Sequence, residues 1–154
     1  MGKESSLSKR KSDFMGRDVM ITRTVDILGW RIYWCFFTTN KDVEYITSLL
    51  EDLGAEDDII SRISFDKYLD EYDYGFTYSN MSRKESVVVI GQTTDGQEFL
   101  NTFIHELHHL TVHIAETLHI ELGQEEIAYL AGDIAMEVGD IVCKYSCNSC
   151  RNKF

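Results

Sequence analysis

The stretch ESVVVIGQTTDGQEFLNTFIHELHHLTVHIAETL, residues 85–118, decides how this chain reads. Val87, Val88, Val89 and Ile90, closed by Gly91, form an unbroken run of β-branched residues and give the strongest strand signal in the sequence. Two overlapping helix-start patterns follow, Thr94 three residues before Gln97 and Asp95 three before Glu98. Beyond them Leu100, Phe103, Leu107, Leu110, Ile114 and Leu118 recur at helical spacing, which predicts a helix over about 95–118. The opposite face carries Glu98, Asn101, His105, His108, His109, Val112, Glu116 and His119. All five histidines of the chain fall between His105 and His119.

Within that face stands His105-Glu106-Leu107-His108-His109, an H-E-x-x-H pattern. Imidazoles four residues apart lie one helical turn apart, so both can reach one zinc ion at about 2.0–2.1 Å. Glu106, next to the first of them, is then placed to take a proton from the attacking water. His113 lies eight residues from His105, about 12 Å along a regular helix, too far to share that ion. His108, His113 and His119 are therefore expected in supporting or surface roles.

Outward from this helix, Val19 to Phe37 is rich in β-branched and aromatic residues and predicts one or two strands, turning near Leu28-Gly29. Thr38-Thr39-Asn40 offers capping groups before Val43, Ile46, Leu49, Leu50 and Leu53, a helical spacing closed by Gly54. A second helix is expected from about Glu56, and a strand over Tyr72 to Tyr78 that forms a hairpin with Val87–Ile90 across a polar turn. A last helix is expected over 123–145, with Ile127, Leu130, Ile134, Val138, Ile141 and Val142 as its core stripe. The order β, α, α, β, β, α, α is that of an α+β domain.

Composition narrows the function. The 154 residues fit one domain, and 44% hydrophobic content suffices for a core. Fifteen basic residues against 26 acidic ones give a net charge of −11, which argues against a nucleic-acid or membrane-surface partner. Much of the acidity belongs to residues 41–72, where ten acids and three bases read as solvated helix faces. Residues 1–18 read as a basic, flexible tail and not a secretory signal. Residues 19–145 read as the single domain, residues 146–154 as a cysteine-containing tail, and the location as cytoplasmic.

Beside the core stripe of the last helix runs a second one of small residues, Ala128, Gly132, Ala135 and Gly139, expected to let a neighbouring helix approach closely. Glu125 lies on that stripe, whereas Glu126 points about 100° away. With the H-E-x-x-H, the run Glu125-Glu126-Ile127-Ala128 resembles the gluzincin pattern. The chain is most similar there to the small metallopeptidases carried by phages and mobile elements, and distantly to the ImmA/IrrE type. The resemblance spans about residues 86–142 and implies a zincin-like fold, a small antiparallel or mixed sheet packed on the motif helix and the glutamate-bearing helix. It implies His105, His109 and Glu125 as zinc ligands, with Glu126 as second choice, and Glu106 as general base. It further implies a peptide or protein substrate, with Val87 to Ile90 as the edge strand of the cleft. A motif helix running straight to His119 would instead set Glu125 beside about residue 117, leaving Asp133 or Glu137 better placed.

Cys143, Cys147 and Cys150 have the spacing of a cluster-binding motif, but too little chain follows to enclose a cluster, so free thiols are expected. The function expected is that of a zinc-dependent metalloprotease. The alternatives are a catalytically silent zincin-fold module that binds a partner protein, and a domain whose zinc is purely structural.

Overall fold

The structure is a computed structural model, and it describes residues 19–65 and 68–147. The basic tail, most of the cysteine-containing tail and Cys150 lie outside the described residues. Strands β1 (Ile21–Ile27) and β2 (Trp30–Thr38) are followed by helices α1 (Val43–Asp52) and α2 (Asp57–Phe65). Strands β3 (Gly75–Asn80) and β4 (Glu85–Gly91) come next, then α3 (Gly96–Thr117), α4 (Glu125–Glu137) and α5 (Gly139–Ser146). The domain is α+β, with a mixed four-stranded sheet in the order β1-β2-β4-β3.

The first hairpin turns where the sequence places it. Leu28 (φ 50°) and Gly29 (φ 77°) both have positive φ, the backbone of a two-residue turn whose twist matches its strands. β1 pairs antiparallel with β2, and β3 antiparallel with β4, with Thr77 opposite Val88 and Ser79 opposite Ser86. β2 and β4 run parallel, joined by the crossover through α1, α2 and β3.

Alternation along the strands sorts side chains into two cores. Trp30, Ile32, Trp34 and Phe36 of β2 and Val88 and Ile90 of β4 face α3, α4 and α5. Cys35, Val87 and Val89 face Ile46, Leu50, Leu53 and Ile63 of the α1–α2 layer. This arrangement corrects the expectation for Val87–Ile90. β4 is an inner strand, flanked by β2 and β3, and β1 and β3 are the edges. A run apolar at every position marks a strand covered on both faces, whereas an edge strand with one wet face alternates.

The C-terminal helix also departs from expectation. Val138 leaves helical geometry (φ −115°, ψ 12°) and divides one expected helix into α4 and α5. The bend keeps Val138 and Ile141 in the core and brings Tyr145 against Phe37, with ring centroids 4.7 Å apart. It also brings Asp140 to β1, where Arg23 donates to both its carboxylate oxygens at 2.9 and 2.8 Å and to the Glu137 carbonyl at 3.1 Å. The guanidinium holds the Asp140 carboxyl below its ordinary pKa. The small-residue stripe does not serve a close helix crossing. A Cβ added at Gly132 or at Gly139 meets nothing within 4 Å.

Candidate metal centre

Helix α3 starts as its sequence dictates, with the Asp95 side chain accepting from the Glu98 backbone N–H at 2.8 Å. It then runs unbroken for 22 residues. Its inward face is rotated from the expected stripe. Leu100 is exposed, while Phe99, Thr102, Glu106, Thr111 and Ala115 are buried beside Phe103, Leu110 and Ile114. Rotation of this kind puts Glu106 inside, at 4% exposure, against the edge strand.

A buried carboxylate needs a donor, and β3 supplies one. Thr77 Oγ1 donates to Glu106 Oε2 at 2.7 Å, leaving Oε1 free of that bond. Close approach of helix and strand depends on Gly75. A Cβ there would stand 2.9 Å from the Val89 carbonyl oxygen and 3.0 Å from both Glu106 Cγ and Thr102 Cγ2.

His105 and His109 lie on the flank of α3 turned toward β3 and solvent. Their Nε2 atoms are 3.1 Å apart, and their rings meet edge to face at 4.8 Å between centroids. Two nitrogens bound to zinc at about 2.0–2.1 Å in a tetrahedron stand about 3.3–3.4 Å apart, so this spacing suits a shared ion. His105 Nε2 is 4.0 Å from Glu106 Oε1, and the His105 side chain is 67% exposed. The donor chemistry also suits zinc, which takes neutral imidazole nitrogens readily.

The expected carboxylate is not part of this cluster. Glu125 and Glu126 are exposed in the first turn of α4. Among the described residues, no group of three or more His, Cys, Asp or Glu side chains is arranged to hold a metal ion. The reason lies in the helix wheel. At 100° per residue, His109 and His105 sit about 60° and 100° to one side of Glu106, and Leu107 about 100° to the other. Leu107 and Leu118 border the same apolar core as Ile127, Leu130 and Ile134 of α4, so the glutamate-bearing helix turns its apolar face to that core and not to the histidines.

The other histidines divide. His108 is exposed, and His119, also exposed, ends the helix at φ 58°. His113 is half-buried with Nδ1 2.8 Å from Ser79 Oγ, and burial, aided by nearby His109, pulls its pKa below the ordinary histidine value. Thr77 and Ser79 are the residues that the sequence alone does not single out. Their signal is the alternation Gly75, Thr77, Ser79 on one face of β3, small and hydroxyl-bearing where a core strand would be apolar.

The cysteines stand apart from this cluster. Burial pushes the Cys35 thiol up to about 12, which makes it inert. Cys143 and Cys147 are exposed. No helix among the described residues is long and apolar enough to cross a membrane.

Together these features define an α+β domain whose longest helix carries an H-E-x-x-H against an edge strand. Comparison with known protein families, with characterised proteins and with solved structures gives no match to this chain.

Proposed function

We propose that this protein is a zinc-dependent hydrolase of peptide bonds. The observation that carries the reading is the convergence of His105 and His109, Nε2 to Nε2 at 3.1 Å, beside a buried glutamate whose Oε1 lies 4.0 Å from His105 Nε2. His105 and His109 would hold the ion through these nitrogens. Zinc supplies Lewis acidity, polarising an acyl carbonyl and making water a competent nucleophile near neutral pH. Glu106 accepts the proton of that water at Oε1, while the Thr77 hydroxyl fixes the carboxylate through Oε2.

Glu125, with Glu126 as second choice, is the carboxylate that the sequence pattern nominates to complete the ligand set. Either would join the histidines only if α4 shifted from the far flank of α3. A peptide is the favoured substrate class because β3 is the edge strand beside Glu106, and an extended peptide can hydrogen-bond along such an edge.

The test is metal analysis paired with turnover. The purified protein is expected to bind about one zinc per chain and to cleave unstructured peptides. Glu106→Gln should keep the zinc and lose cleavage, and a wild type without stoichiometric zinc refutes the reading. The histidine pair, without a third ligand among the described residues, favours a second reading, a module of this fold that binds a partner and does no chemistry. It predicts zinc binding with no turnover and identical behaviour of Glu106→Gln. A purely structural zinc fits poorly, because structural sites are closed and His105 is largely exposed.

A further inference from the structure

One continuous chain of hydrogen bonds runs from the core to the histidine flank of α3. Trp30 Nε1 is 2.8 Å from Ser86 Oγ, Ser86 Oγ is 2.7 Å from Ser79 Oγ, and Ser79 Oγ is 2.8 Å from His113 Nδ1. Trp30 and Ser86 are fully buried. The inner end of the chain is fixed, because an indole N–H donates and cannot accept. The arrangement that pairs every proton of the chain has Ser86 accept from Trp30 and donate to Ser79, and Ser79 donate to His113 Nδ1. Every hydroxyl proton in the chain then has an acceptor. With His113 donating to Ser79 instead, either the buried Ser86 proton or the Ser79 proton is left without an acceptor in the chain.

With Nδ1 as acceptor, the neutral ring carries its proton on Nε2. Two consequences follow for the site. Both nitrogen lone pairs that could bind a metal are taken, one by the Ser79 hydroxyl and one by the proton. His113 is also a fixed N–H donor one turn beyond His109, with ring centroids 6.5 Å apart. The Ser79 bond to this half-buried ring is made at Nδ1 and does not use Nε2.

Resting on the hydrolase reading above, we propose that His113 is a substrate-contacting residue whose Nε2–H donates to the acyl oxygen as that oxygen gains charge. The Trp30–Ser86–Ser79 chain holds the ring in the tautomer this requires. Alternate residues of β3 would then position both partners of the chemistry, Thr77 the base and Ser79 the donor. Donors fixed before the charge develops need no reorganisation during reaction, which is the source of their effect.

Two measurements test this. Long-range ¹H–¹⁵N NMR of the metal-free protein is expected to show His113 protonated on Nε2 and bare on Nδ1, and Ser79→Ala should abolish that preference. A ring protonated on Nδ1 overturns the proposal. In the second measurement, inorganic phosphate serves as a tetrahedral anion and is titrated against zinc-loaded wild type and His113→Phe. Phosphate affinity is expected to fall about tenfold or more, with zinc affinity within about threefold of wild type, and His113→Gln should recover part of the loss through its amide N–H. Where His113→Phe does not fold, Ser79→Ala replaces it and should weaken phosphate in the same sense. Unchanged phosphate affinity in zinc-loaded variants overturns this inference alone. A loss of zinc affinity as large as that of His109→Ala also overturns it, by making His113 a ligand. Failure of the wild type to bind zinc overturns the hydrolase reading and the inference together, whatever the tautomer.

Discussion

The two flanks of α3 are built on different principles. On one, Leu107, Leu110, Ile114 and Leu118 share an apolar core with Leu130, Ile134 and Ile141 of α4 and α5. On the other, Glu106 and His113 reach across to single hydroxyls of β3, and His105 and His109 stand open beyond them. Apolar burial is non-directional and excludes water, so any polar group on the first flank would lose its hydration without a partner. Directional hydrogen bonds hold the second flank while leaving ring nitrogens accessible. The β3 flank is therefore the one that leaves imidazoles exposed, and the helix bearing Glu125 and Glu126 turns its apolar face to the core on the other.

The strongest way to break this contrast is to ask which flank binds metal. His109→Ala is expected to weaken zinc binding about a hundredfold or more, since a ligand counts for more than the tenfold to hundredfold typical of its supporting groups. Because His109 is exposed, its circular dichroism and melting point should barely change. Glu125→Ala and Glu126→Ala are expected to cost less than about tenfold in a competitive titration with a chelating dye. Equal losses at His109 and Glu125 would mean that metal draws α4 to the open flank, and the contrast would fail.

Two substitutions sharpen how the open flank is held. Gly75→Ala should destabilise by about 2–3 kcal/mol in urea unfolding, because the new methyl meets the Val89 carbonyl at 2.9 Å and that oxygen is fixed in an inner strand. Pushing α3 from β3 would also loosen the Glu106–Thr77 bond. Thr77→Val keeps the shape and removes the donor, leaving a buried carboxylate oxygen unpaired at about 1–2 kcal/mol. Thr77→Ser restores the hydroxyl and should recover most of that loss. If Thr77→Val is as stable as wild type, the polar bonds to β3 do not fasten this flank.

Local features of the molecule were legible in the sequence. The motif helix expected at 95–118 spans Gly96–Thr117, and the Leu28-Gly29 turn, the helix start at Asp95 and the exposure of His105 and His109 follow from neighbouring residues. What was not legible depends on long-range pairing. The parallel match of β2 with β4, which makes β4 an inner strand, joins residues more than 50 positions apart, such as Arg31 and Glu85. The roles of Thr77 and Ser79 depend on β3 becoming the edge in the register that sets Ser79 opposite Ser86. Neither hydroxyl lies near a histidine in sequence, so no local pattern marks it. The break at Val138 likewise answers to the sheet beneath it, through Tyr145 on Phe37 and Asp140 on Arg23.

The smallest effect concerns the sealed flank and runs in the opposite direction. Ala128, Gly132, Ala135 and Gly139 suggest a close helix crossing by sequence alone, and such a crossing would make Gly132→Ala destabilising. In the folded chain Gly132 is exposed in the middle of α4, and a Cβ there meets nothing within 4 Å. Glycine in that position only adds freedom to the unfolded chain, so Gly132→Ala is expected to stabilise by about 0.5–1 kcal/mol. A gain of that size raises the melting temperature by about 1–4 °C, readable by calorimetry. A lowered melting temperature would mean that another surface packs against this stripe. The sealed flank would then end not at α4 but at a partner docked on its outer face.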